Sequence, residues 1–224
     1  MEVQKYIQLS SNEWDIFKQI FAAIKPTNHY VVEVGYDGIF DAQVIQDWHG
    51  LLIDQTGLPV FVPCQIKSVR AFVTAENINE ILKAHDVPPQ IDLFAIDIDG
   101  NDFHVLRALT ATEPRVILTE YNASFGPEHS LTIKYKPDFK RECSMAGAYH
   151  GASLMAFTKL LNVCDYALVA VESNGVNAFF VKRSECAGKF RELSAAEAWK
   201  PHSGRNGMWQ TQFHDIENME YETI

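Results

Sequence analysis

Three carboxylates fall within six residues in Asp97-Ile98-Asp99-Gly100-Asn101-Asp102, directly after the apolar run Ile91-Asp92-Leu93-Phe94-Ala95-Ile96. Asp97 and Asp99 lie two apart, so an extended chain turns both to the same side. Gly100 would let the backbone turn, and Asn101 could cap a helix carrying Val105, Leu106 and Leu109. A second apolar run, Arg115 to Thr119, ends in Glu120-Tyr121-Asn122. Asp97, Asp99, Glu120 and Asn122 are all hard oxygen donors, the set that suits Mg²⁺, Mn²⁺ or Ca²⁺. Asp97 and Asp99 are also candidate catalytic groups. His150 is a candidate general base, because an unperturbed imidazole titrates near ~6.5. The plainer alternative is an acidic cleft that only orients a polar acceptor, with His150 a structural residue.

A second group lies nearer the start, in Val32-Glu33-Val34-Gly35-Tyr36-Asp37-Gly38. Glycines after a strand let backbone approach a ligand closely, but a pyrophosphate site uses a fuller set, Gly-x-Gly-x-x-Gly. Glu33 would repel a pyrophosphate and suits a cationic ligand. Asp54, about twenty residues on at the end of Leu51-Leu52-Ile53, is spaced to accept hydrogen bonds from ribose hydroxyls. A nucleoside carrying positive charge fits this pairing, and S-adenosylmethionine is the obvious one. Candidate cofactor residues are therefore Glu33, Gly35, Tyr36, Gly38, Asp54 and Asp97.

These groups need elements to hold them. Ser11 to Lys25 predicts an amphipathic helix capped by Ser11 or Asn12 and stopped by Pro26. Tyr30–Val34, Leu51–Asp54, Val69–Thr74, Ile91–Ile96 and Arg115–Asn122 read as strands buried on both faces, as in a parallel sheet. Helices are expected over roughly 40–48, 77–84 and from Phe103. Ala123 to about Ala148 lacks periodicity and reads as a long functional loop. His150 to Val163 predicts a helix. Tyr166–Val171 and Val176–Val181 flank Asn174-Gly175, which favours an antiparallel hairpin. The expected fold is α/β, a Rossmann-like, doubly wound, mostly parallel sheet. One domain over 1–183 is followed by an extension, 184–224, for which three readings stay open: it packs on the domain, it docks a partner or a second copy in a homo-oligomer, or it is partly disordered.

Composition narrows the partners. The 224 residues are 47% hydrophobic and 21% charged with a formal net charge of -10, which is globular and unsuited to a nucleic-acid backbone. Lys134, Lys136, Lys140 and Arg141 are interleaved with Asp138 and Glu142, as in a solvated loop. Cys64, Cys143, Cys164 and Cys186 form no Cys-x-x-Cys pair, and Cys164 reads as a small core residue. Without a signal-peptide pattern or an apolar run approaching ~20 residues, a cytoplasmic protein with no membrane partner is expected. Tyr36 and Tyr149 are candidates for the cleft or for packing, and His104, with His150, is one of the two histidines nearest the motifs.

The chain resembles class I S-adenosylmethionine-dependent methyltransferases, specifically the FkbM type. The residues that carry the likeness are Val32-Glu33-Val34-Gly35-x-x-Gly38, Gly50 to Asp54, Ile91 to Asp102 with Leu106, Pro114 to Asn122, Gly151-Ala152-Ser153-Leu154 and Asn177 to Val181, across roughly 30–183. The resemblance implies a seven-stranded sheet with an antiparallel last strand, and cofactor contacts at Glu33, Gly35, Gly38 and Asp54. An acid after the fourth strand, with an acid and Asn after the fifth, is similar to catechol-type O-methyltransferases, where a metal lowers the acceptor's pKa. The expected activity is methyl transfer to oxygen of a small polar molecule or a glycan. Two alternatives stay open. Asp97-Ile98-Asp99 also spells the Asp-x-Asp motif of metal-dependent glycosyltransferases, and a non-catalytic relative could serve as a binding or scaffold protein.

Overall fold

A computed structural model describes residues 6–35, 47–56, 65–141, 145–205 and 208–224. The expected helix over 40–48, Tyr36, Gly38, Cys64 and Cys143 therefore lie outside the described residues or nearly so.

Helix α1 (Glu13–Ile24) starts at Asn12, whose side chain accepts from the Asp15 N–H. It buries Ile16, Phe17, Ile20, Phe21 and Ile24, the stripe that helical spacing predicts. Strands β1 (Tyr30–Val34) and β2 (His49–Asp54) follow. Then come β3 (Ile66–Arg70), α2 (Ile78–Ala84), β4 (Gln90–Ile96), α3 (Asp102–Ala108) and β5 (Glu113–Glu120). The second half holds β6 (Leu131–Ile133), α4 (Leu154–Val163), β7 (Tyr166–Val171) and β8 (Asn177–Lys182). Short helices α5 (Arg183–Cys186) and α6 (Ala195–Ala198), helix α7 (Trp209–Ile216) and strand β9 (Tyr221–Thr223) complete it.

Seven strands form one sheet in the order β3-β2-β1-β4-β5-β8-β7. All pairs from β3 to β5 are parallel, and β8 runs antiparallel to both β5 and β7. This is the doubly wound sheet with an antiparallel last strand that the sequence led us to expect. Gly175, at φ +69°, makes the β7–β8 turn, which explains the glycine there. The sheet separates two apolar cores. One joins Val32, Val34, Ile53, Phe94 and Ile96 to α2, α3 and α4, and the other joins Val31, Leu52, Leu93 and Phe179 to α1. Strand order reverses between β1 and β4, the place where open α/β sheets bind ligands.

Several details differ from the expectations. The third strand is 66–70, paired with Gly50 to Asp54, and the chain leaves the sheet at Ala71. The apolar stretch through Phe72 and Val73 thus belongs to a cleft wall, which is why it looked like a strand. The segment from Ala123 to Ala148 is partly ordered by pairing: Leu131–Ile133 forms a two-stranded ribbon with Tyr221–Thr223. Helix α4 starts after Ser153, whose side chain accepts from the Ala156 N–H, so His150 precedes the helix and does not open it. Cys164 is exposed at the end of α4, while Cys186 is buried. No helix among the described residues is long and apolar enough to cross a membrane.

Candidate active site

Backbone hydrogen bonds continue the sheet one residue past the strands and so fix the site's frame. Gly35 N–H donates to Ile53 O at 2.9 Å, Asp97 N–H to Val34 O at 2.9 Å, and Ala71 N–H to Asp54 O at 2.9 Å. Gly35 has φ +81°, and a Cβ there would overlap the Asp97 carbonyl oxygen. Only glycine meets both demands.

A cleft of about 630 Å³ opens over these tips. Along the strand order, Ile53, Asp54, Ala71, Phe72 and Val73 come from the ends of β2 and β3, and Ile98, Asp97, Asp99, Asn101, Glu120 and Arg141 from β4, β5 and the chain beyond them. Asp54 Oδ1 accepts from both the Thr56 N–H and its hydroxyl at 2.7 Å, which fixes the carboxylate at the rim. Phe72 is 38% exposed, unusual for a large aromatic, and it lines the cleft. Glu33 is buried within β1 and is not among the lining residues. It alternates onto the face it shares with Val31, the α1 side.

At the acid end, the left-handed residue of the turn is Asp99 (φ +55°), not Gly100 as the sequence suggested. Aspartate tolerates this conformation better than most side chains, and such strain gathers at functional sites. Gly100 is small for another reason: the Phe139 ring packs where its Cβ would be. Asn101 does not cap α3 with its side chain; its Nδ2 donates to Lys136 O at 2.8 Å. Asp102 turns its carboxylate back to accept from Ile98 N–H at 2.8 Å and Gly100 N–H at 2.9 Å, holding the loop. Burial raises its pKa.

Glu120 is buried, and its pKa is raised well above the ordinary carboxyl value. Desolvation is the main cause, followed by the charges of Asp97, Asp102 and Asp99, with Arg141 opposing. His150 is fully buried, and desolvation together with Arg141, Arg205 and His202 holds it well below its usual value, so it is neutral. Its Nδ1 lies 3.5 Å from Glu120 Oε2 and has no hydrogen-bond partner among the described residues. Donor atoms of Asp99, Glu120 and His150 lie within 4.8 Å of one another, a spacing that a single divalent ion could bridge.

The candidate set thus divides. Gly35, Asp54, Asp97, Asp99 and Glu120 share the cleft, and His150 sits beneath Glu120. Asn122 is buried and committed to structure, its Nδ2 donating to Ala148 O and His150 O and its Oδ1 accepting from Ser124 N–H and Arg205. His104 bridges α3 to β6 through Ile133 O at 2.8 Å. Tyr149 donates to Glu220 O. Three cleft or cluster residues escape a sequence reading. Phe72 is hidden by the shorter third strand. Arg141 was read as part of a solvated loop, but it pairs with Asp99. Arg205 comes from the extension and contacts Asn122, Ser124 and His150.

A family model described as the methyltransferase FkbM domain matches residues 22–143. A comparison with curated proteins finds no match. Among solved structures, the chain is similar to the MycE methyltransferase from the mycinamycin biosynthetic pathway in complex with Mg and SAH. That match has 14% identity, a TM-score of 0.47, and covers 86% of this chain and 50% of that one. The same enzyme with Mg, SAH and mycinamycin VI matches at 14% identity and a TM-score of 0.46, covering 81% of this chain and 54% of that one. The chain spans about half the length of these structures.

Proposed function

The chain belongs to the FkbM methyltransferase family, and from that premise we propose that it transfers a methyl group from S-adenosylmethionine to an oxygen of a small polar acceptor. The observation that carries the reading is one cleft, at the strand-order reversal, with an apolar, Asp54-bearing end and an acidic end. Its size lies within the usual range for small-molecule sites, roughly 300–1,000 Å³. The donor set suits the cofactor. Asp54 would accept from ribose hydroxyls, the Phe72 ring would cover the base, and Gly35 lets the backbone approach. The carboxylates Asp97 and Asp99 would favour the sulfonium's positive charge.

Methyl transfer is an in-line displacement, so the protein mainly orients two reactants and removes a proton. The acceptor oxygen forms its bond to the methyl carbon, the carbon–sulfur bond breaks, and the hydroxyl proton passes to a carboxylate. Glu120, with its raised pKa, is suited to take that proton. His150, with no solvent exposure, would orient Glu120 and not touch the acceptor. The carboxylates of Asp99 and Glu120 are also suitable ligands for a divalent cation, which when bound would lower the acceptor's pKa. Asn122 is a poor fourth ligand, because its amide oxygen already accepts two hydrogen bonds. A sugar-nucleotide glycosyltransferase would use Asp97 and Asp99 but leave Gly35 and Asp54 without a task.

Calorimetric titration with S-adenosylhomocysteine tests the reading. The wild-type chain should bind, and Asp54→Ala should weaken binding about tenfold or more, since ~1.4 kcal/mol is one decade, with an unchanged circular dichroism spectrum. Unchanged affinity would remove Asp54 from the site.

A further inference from the structure

Arg205 enters the acid end of the site from the stretch between α6 and α7. Its Nη1 donates to Asn122 Oδ1 at 2.8 Å and to Ser124 Oγ, and its Nη2 lies 2.6 Å from His150 Nε2. A guanidinium has donors only and keeps its charge in proteins. His150 Nε2 must therefore accept, and a neutral ring that accepts there carries its proton on Nδ1. Nδ1 is the nitrogen that faces Glu120.

A metal ion needs a lone pair where this ring presents a proton. Ligation through Nδ1 would move the proton to Nε2, and two donors would then face each other across 2.6 Å. Ligation through Nε2 would require the space that Arg205 fills. In both cases His150 becomes a ligand only when Arg205 has moved away. Charge leads to the same result, because a dication here would sit against Arg205 and against Arg141, the partner of Asp99. Arg205 is itself under electrostatic load: burial first, and then Arg141, depress its basicity, while Glu120 and Asp99 support it.

We propose that Arg205 and a divalent cation are alternative occupants of the Asp99–Glu120–His150 cluster, with the arginine acting as the resident counter-charge in the state described here. A cation would then bind fully only on displacing the 199–205 stretch, which ties metal loading to the position of the extension. The proposal deepens the reading of this site as the acceptor end of the cleft, and its test reads cation binding alone.

The test is titration of the full-length chain with Mn²⁺ alone, following the paramagnetic resonance of the free ion. Arg205→Met, which keeps bulk and removes the donors, should bind Mn²⁺ at least about tenfold more tightly than the wild type, the scale on which outer partners alter metal affinity. His150→Gln added to Arg205→Met should abolish that gain. Equal or weaker binding by Arg205→Met, or a gain that survives His150→Gln, would overturn the proposal. The wild-type chain gives an independent readout. Saturating Mn²⁺ should speed amide exchange over 199–205 and leave β4 and β5 unchanged, and unaltered exchange over 199–205 would overturn it. Titration with S-adenosylhomocysteine reads the other end of the cleft, so failure there is separable from failure here.

Discussion

Glu120 carries a heavy electrostatic load, since it is buried and three other carboxyls raise its pKa further. A raised carboxyl pKa means that the ionised form is penalised in the folded state. Glu120→Gln should therefore stabilise the protein at neutral pH while leaving cofactor affinity intact. Each kcal/mol of relief would raise Tm by about 2–4 °C in a chain of this size. Scanning fluorimetry that shows a lower Tm would instead make Glu120 a structural residue. At this scale the sequence was informative about one kind of residue. Asp54, Asp97, Asp99 and Glu120 could be found because each follows an apolar run, and a strand's end is where a parallel sheet presents polar groups. Arg141 and Arg205 follow no such run. They reach the cluster from loops across 42 and 55 positions, to Asp99 and His150 respectively, and local pattern carries no trace of that.

The contact between the tips of β1 and β4 is the tightest constraint on an element. Gly35 combines a left-handed φ with a Cβ direction that points into the Asp97 carbonyl. Gly35→Ala should cost more than the ~1 kcal/mol typical of a strained left-handed residue, because backbone must also move. Chemical denaturation should show a lowered midpoint together with weakened S-adenosylhomocysteine binding. A variant of wild-type stability would mean that the β1–β4 junction is looser than described. The elements themselves were largely legible, because buried strands and the α1 stripe follow from hydrophobic periodicity. Strand β3 was not, since three residues of a cleft wall, Ala71 to Val73, have the same apolar composition as a strand. Ribbon β6–β9 was hidden for another reason, its two three-residue strands being too short to give a pattern.

At the scale of the molecule, the far end of the sheet from the cleft is fastened by Asp92. Its carboxylate accepts from the Thr27, Asn28 and His29 N–H groups and pairs with Arg115 at 2.7 Å. Burial alone would raise its pKa, but these hydrogen bonds outweigh burial and hold it below the ordinary carboxylate value. A depressed carboxyl stabilises the fold above its unfolded pKa, and that contribution is lost as pH falls through the folded value. Asp92→Asn should therefore be destabilised at neutral pH by on the order of 3–5 kcal/mol, the cost of stranding a buried partner. The gap from wild type should narrow as pH falls below about 4, where the unfolded chain's carboxyl takes up its proton, and close once the lower folded value is passed. Thermal scans across pH measure this directly, and a gap independent of pH would assign the effect to packing.

The ribbon of β6 with β9 has a consequence for assembly. It joins segments about ninety positions apart, and so long a closure must await the large sheet that brings its ends near. The ribbon is thus expected to close after the seven-stranded sheet, whose parallel strands already bring the acid-bearing ends of β4 and β5 side by side.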